Sequence, residues 1–241
     1  MTQQARIRLD DHEIAYSLLR SSRRTIGFVI NKDGLTVTAP QRVGVREVEG
    51  ALQEKSRWIL SKLAAWAERP HQRELAYESG EILPWLGGEL RLQVEPRGIR
   101  TTLRREGDRV LVTVDPQAGG ELRRRAIAAA LMRHYKREGE QFMRPRVEAF
   151  AAQLERPVRK VVIRDQKRRW GSCAPDGTIR LNWRLMGFPE ILVDYVCAHE
   201  AAHLVEANHS PAFWRTVERL MPDWRVHRAE MRRAAELWTW S

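Results

Sequence analysis

The chain has 241 residues, and a 43% hydrophobic content excludes a disordered chain while sufficing for one large or two small globular units. Forty-two Lys and Arg against 31 Asp and Glu leave a formal charge of +11, which suits nucleic acid or an acidic partner, but no nucleic-acid motif accompanies it. Two cysteines, Cys173 and Cys197, exclude a disulfide framework, and no run approaches the roughly 18 uncharged residues of a membrane span, so a cytoplasmic protein without membrane association is expected.

Residues 7–40 are strand-like, with turn signals at Asp10-Asp11 and Lys32-Asp33-Gly34, and predict an antiparallel meander. Apolar groups at Val48, Leu52, Trp58, Ile59, Leu63 and Trp66 then follow a helical period, so a helix over 45–67 is expected to pack on that meander. A second strand-rich stretch, 81–114, is punctuated by Gly87-Gly88, Arg97-Gly98 and Glu106-Gly107-Asp108. Residues 121–154 read as one or two helices bridging the two halves, with Pro145 marking a kink or restart.

Beyond Pro157, residues 158–163 and 177–183 are strand-like and expected to pair antiparallel. Pro189 opens a helix to about 205, Ser210-Pro211 caps and starts another to 221, and a last helix covers 226–237. No internal repeat is evident. The reading is an α+β chain, with a β-rich half, 1–120, and a helical half, 121–241.

The chemistry concentrates in His199-Glu200-Ala201-Ala202-His203. Residues four apart share a helix face, so His199 and His203 can present imidazoles to one ion, and Glu200, about 100° around the helix, stands beside it. The apolar run from Ile191 to Ala198 places this turn on a buried helix, where two histidines and a glutamate are costly unless a metal satisfies them. Zinc suits neutral imidazoles with one position left open. His209 is the favoured third ligand, in a turn that a left-handed Asn208 would create, with Glu206, Glu218 and Glu230 as acidic alternatives.

Arg169-Trp-Gly-Ser-Cys173, Ile179-Arg-Leu-Asn-Trp183, the run from Asp194 to Leu204 and Asn208-His-Ser-Pro-Ala-Phe-Trp214 resemble, in that order, the YgjP-type (SprT-like) zinc metallopeptidases. The first strands, Lys55-Ser-Arg-Trp58 and the run from Gly80 to Gly87 resemble the N-terminal half of the same family. The resemblance implies a zincin-like C-terminal half: a small sheet beside the active-site helix, one Zn2+ per chain on His199, His203 and His209, and Glu200 as base. Ala201-Ala202 departs from it, since many relatives carry a bulkier residue there, and no cysteine-rich zinc ribbon follows.

The expected activity is therefore hydrolysis of protein or peptide substrates, with Glu200 as general base for an attacking water. Tyr195, one turn before His199, is the candidate second oxyanion donor, against a role in simple packing. The strand 179–183, with Ile179, Arg180 and Asn182, is the candidate binding edge for an extended peptide. Arg169, Trp170 and Ser172 are candidates to shape the pocket, although Trp170 in the core and Gly171 in a turn is the simpler account. Cys173 and Cys197 read as buried thiols and His227 as a surface histidine. Two other readings fit a three-histidine site: a metal-dependent endoribonuclease, which would have no carboxylate at position 200, and a non-catalytic zinc or nucleic-acid binding module, which would need a fourth protein ligand.

Overall fold

In a computed structural model, residues 2–31, 34–67, 75–166 and 169–237 are described. They form a mixed α+β protein with six α-helices and three small sheets, and no described helix is long and apolar enough to cross a membrane. Contacts divide the chain into Met1–Gln72 and Arg73–Ser241. The expected division at 120/121 falls within the second of these, where the second strand-rich stretch shares its core with the helices that follow.

In the first unit, β1 (Thr2–Leu9), β2 (His12–Ser21), β3 (Gly27–Asn31) and β4 (Gly34–Pro40) form one sheet in the order β1-β2-β4-β3. Two hairpins are present as expected, but the sheet is not an antiparallel meander: β4 inserts beside β2 and runs parallel to it, with Tyr16 opposite Leu35. Burial explains the order. Leu35, Val37 and Ala39 of β4 are at most 2% exposed, whereas Val29 of β3 is 51% exposed, so the more apolar strand of the hairpin takes the centre. Lys32 and Asp33 of the expected turn lie outside the described residues. The single expected helix is two, α1 (Val45–Glu54) and α2 (Ser56–Ala67), interrupted at Lys55. Val48, Leu52 and Ile59 close the core, while Trp58 is 44% exposed and the side chain of Trp66 lies outside the described residues.

The second unit begins with the same arrangement. Strands β5 (Ile82–Trp85), β6 (Gly88–Pro96), β7 (Thr102–Glu106) and β8 (Arg109–Val114) are ordered β5-β6-β8-β7, with β6 and β8 parallel at the centre. A topological repeat is therefore present where the sequence showed none: two hairpins joined through their second strands, followed by a helix. The two copies share alternation and turns, neither of which needs matching residues.

The helix after the second copy, α3 (Gly120–Gln153), runs through Pro145 without a break. Its buried positions Ile127, Leu131, Tyr135, Met143 and Val147 follow helical spacing, and its length lets it pack on β7 and β8 early and on β9 (Lys160–Arg164) and α4 (Glu190–Ala202) later. The third sheet is ordered β10-β11-β9, where β10 is Gly171–Cys173 and β11 is Thr178–Asn182. Here β9 and β11 pair parallel, with Val161 opposite Ile179, which corrects the expected antiparallel pairing. The chain between them contributes β10 as the antiparallel neighbour on the other side of β11. A 3-10 turn (Trp183–Gly187), α4, α5 (Pro211–Leu220) and α6 (Trp224–Leu237) complete the unit.

Two contacts fix α4. The β5–β6 hairpin turns at Leu86 and Gly87, both at positive φ, and Leu86 N–H donates to the Met186 carbonyl over 2.7 Å. A Cβ on Gly87 would lie 3.1 Å from Pro189 Cα, so only glycine lets the hairpin approach the start of α4. From α3, Arg146 donates to Asp194 Oδ1 at 2.8 Å and to Glu190 Oε2 at 3.1 Å. Burial raises the Asp194 carboxyl and Arg146 opposes the rise, so the ion pair carries the charge of a half-buried group. Arg146→Ala should lower stability by about 1–3 kcal/mol, measured by urea unfolding, because it leaves Asp194 unpaired; the double variant with Asp194→Ala should recover part of the loss.

Candidate active site

Helix α4 carries Tyr195, His199 and Glu200, and His203 is its capping residue. Beyond it, the chain turns through Asn208 and His209 into α5. Asn208 is not among the residues with positive φ, contrary to the expectation; its side chain makes the turn instead, Oδ1 accepting from Ser210 N–H at 3.1 Å. Ser210 Oγ in turn accepts from Phe213 N–H at 3.3 Å with Pro211 at the first helical position, as its sequence predicts.

This turn returns His209 to α4. The ring centroids of His199, His203 and His209 lie 5.1, 4.9 and 5.0 Å apart, and one ligand atom from each falls within 4.8 Å of the others. Phe213, fully buried, stands 4.4 to 4.9 Å from all three rings and holds the triangle from one side. Trp214 stacks on His209 at 5.7 Å. The acidic alternatives do not join the group: Glu218 pairs with Arg225, Glu230 with His227, and Glu206 gives its carbonyl to His203. His227 is also turned largely away from solvent, correcting its expected surface position.

The ring nitrogens suit an ion. His203 Nδ1 lies 2.9 Å from the Glu206 carbonyl, which only accepts, so this nitrogen carries the proton and Nε2 keeps its lone pair. Burial lowers the His199 imidazole to about 3, with His203, His209 and Arg228 adding to the effect, and burial likewise lowers His203. Both rings are therefore neutral at pH 7. The Nε2 atoms of His199 and His209 are 3.0 Å apart, near the separation of about 3.3 Å for two nitrogens sharing a tetrahedral zinc. Three converging imidazoles on a rigid floor thus fit a metal ion.

Glu200 is 5% exposed, and its Oε2 is buried with no hydrogen-bond partner among the described residues. Burial pushes its carboxyl up to about 8, with the Arg169 guanidinium acting the other way. Its space is provided by β10. A Cβ on Gly171 would meet Glu200 Oε1 at 2.5 Å and Cγ at 2.6 Å. Gly171 lies in a strand, not the expected turn, and its lack of a side chain gives the carboxyl its place.

Around this carboxyl the surface opens into two cavities that share Arg169, Gly171, His199 and Glu200. One, of about 420 Å³, adds His203, His209 and the β10 residues Ser172 and Cys173. The other, of about 470 Å³, adds Tyr195, Trp170 and residues of α6. Tyr195 is 6% exposed, 6.0 Å from His199 between ring centroids, and its hydroxyl has no hydrogen-bond partner among the described residues. Burial raises the Cys173 thiol to about 11, and Cys197 lies fully buried in the core, so neither is a thiolate ready to bind metal.

The expected peptide-binding strand is corrected. β11 is the central strand of its sheet, bonded on both sides, and the edge facing the cavity is β10. Ile179 is fully buried in the core, and Arg180 pairs in register with Ser172 and Val162. Asn182 is a support: Nδ2 donates to the carbonyls of Gln166 at 2.7 Å and Arg169 at 3.1 Å, fixing the loop that delivers Arg169 and Trp170. Phe213 and Gly171 had no role in the sequence-based site, and α6 entered it only through Glu230 as an alternative ligand. Only the regular spacing of α6 hinted that one of its faces was occupied.

A family model described as YgjP-like, metallopeptidase domain matches residues 24–234. No match is found among curated proteins. Among solved structures, the crystal structure of the metallopeptidase zymogen of Pyrococcus abyssi abylysin is 32% identical, covering 41% of this chain and 93% of that one. Its TM-score of 0.34 is too low to carry a structural correspondence. The family match spans most of both units, and with it the chain belongs to the YgjP-like metallopeptidases.

Proposed function

We propose that the chain is a zinc-dependent peptidase in which His199, His203 and His209 hold one Zn2+ and Glu200 is the general base. The carrying observation is the convergence of three imidazoles beside a buried carboxyl without a partner. Bound there, zinc would supply Lewis acidity toward a water and a peptide carbonyl. The chain's own groups supply the rest. Glu200, near neutrality in its affinity for a proton, accepts one at its carboxylate from the attacking water and returns it to the leaving amine. Tyr195, kept protonated by burial, offers its hydroxyl to the developing oxyanion. The free edge of β10 pairs with an extended substrate, a role moved there from β11.

The buried carboxyl at position 200 supports this reading over a three-histidine endoribonuclease. A purely structural zinc site is disfavoured because, among the described residues, the cluster supplies three ligands and no fourth.

Elemental analysis should find about one zinc per chain. Glu200→Gln should retain the metal and lower peptide cleavage by roughly 10²–10⁴-fold, whereas undiminished cleavage would refute the role of Glu200. Gly171→Ala should displace the carboxyl and lower kcat/KM by roughly a hundredfold, with zinc content and melting temperature close to wild type.

The pH response of metal-stripped protein offers a separate check. In the folded chain the Glu200 carboxyl holds its proton to about 8, against 4.5 when unfolded, so its contribution is full below 4.5 and is lost as pH rises through 8. His199 acts oppositely, its contribution being present above 6.5 and lost as pH falls through about 3. With EDTA present, thermal melts at pH 5 and pH 9 should show the wild type losing more stability over that range than Glu200→Gln.

A further inference from the structure

The second cavity of about 470 Å³ has a composition that peptide hydrolysis alone does not require. Along α6, Arg228, Met231, Arg232 and Ala235 lie at helical spacing and line one wall. Arg169, Tyr195 and Val196 contribute from the other elements, and His199 and Glu200 form the boundary with the metal centre. The walls carry three guanidinium groups against one carboxyl, and that carboxyl is the proposed base.

Among the described residues, none of Arg169, Arg228 and Arg232 has a carboxylate within ion-pair distance, whereas Arg225 on the same helix pairs with Glu218. Arg228 is held by aromatic faces instead, its guanidinium 4.4 Å from the Trp214 ring centroid and 5.9 Å from that of Trp224. Trp214 is the residue that stacks on His209, so this stack fixes Arg228 relative to the metal centre. A positioned, unpaired guanidinium over an apolar pocket is a receptor for a planar anion, which it can grip through two parallel N–H donors.

We infer that this cavity is a substrate subsite for a carboxylate next to the scissile bond, with Arg228 and Arg232 on α6 as its specificity-determining residues. The group is either an Asp or Glu side chain flanking the cleaved bond or the free C-terminus of a peptide cut near its end. The volume admits one large residue, and Met231, Ala235 and Val196 take its aliphatic part. The inference rests on the peptidase reading, but the binding it predicts does not require turnover.

The test uses the full chain loaded with zinc and a peptide library, with cleavage sites mapped by mass spectrometry. Matched peptides then carry Glu, Gln or Lys at the selected position, or end in a free carboxylate or an amide. Carboxylate-bearing peptides should show kcat/KM at least tenfold above their neutral partners, mainly through KM, and the favoured series identifies side chain or terminus. Arg232→Gln, at an exposed position, should shrink that ratio below threefold, and Arg232→Glu should turn the preference toward Lys. Arg228→Gln should act alike, with zinc content and melting temperature checked because it leaves an aromatic stack. Equal cleavage of acidic and neutral peptides by the wild type, or a preference unchanged in the arginine variants, would overturn the inference. In parallel, the affinities of the same peptides for zinc-loaded Glu200→Gln, read by tryptophan fluorescence, should keep the acidic-over-neutral order. If no peptide is cleaved, the peptidase reading fails, while this affinity order still supports or overturns the subsite.

Discussion

Ionisable groups buried on one turn of helix govern the second unit. His199, partly buried, and Glu200, buried, lie on α4 where solvation of a charge is reduced, so each is driven toward its neutral form, and the surroundings must hold their atoms in place without neutralising them. β10 provides this with the missing side chain of Gly171, and α5 provides it with the ring of Phe213. Neither neighbour competes for the lone pairs. Further out, Arg146 and the Leu86-Gly87 turn fix α4 from the side of α3 and from the second sheet, so the geometry of the centre is inherited from strongly packed elements.

What the sequence disclosed about this centre follows the range of the interactions that encode it. His199, Glu200 and His203 were legible because helical spacing alone decides which side chains share a face. His209 was legible because Ser210-Pro211 announces a new helix, although the turn is made by the Asn208 side chain and not by its backbone angle. Strand order was not legible. Alternation gives β4 its buried face, and β8 and β11 are buried almost throughout, but nothing local says that each has a parallel neighbour. The peptide-binding edge was assigned to β11 for that reason. Its neighbour β10 is three residues long, too short for an alternating pattern to register.

The repeated hairpin pair illustrates the same limit at a larger scale. Both copies place a parallel pair at the centre of four strands, so each buries its second and fourth strands. In the second copy the first hairpin has an added task, since its Leu86-Gly87 turn meets the 3-10 turn and the start of α4. A turn that elsewhere only reverses the chain thereby becomes part of the scaffold of the site. The requirement appears as one glycine at positive φ with no room for a Cβ, a signal carried by a single residue.

Charge links the centre to its rim. Arg169 favours the ionised form of Glu200, and Arg228 adds to the burial that favours the neutral form of His199. Positive charge beside the three histidines would also oppose a dication, and that opposition would weaken with a carboxylate in the cavity. By linkage, an ion held by the three histidines and a carboxylate between Arg228 and Arg232, both as proposed above, would then favour each other, whichever binds first. The excess of basic residues, uninformative when summed over the chain, becomes specific where three guanidinium groups line one cavity.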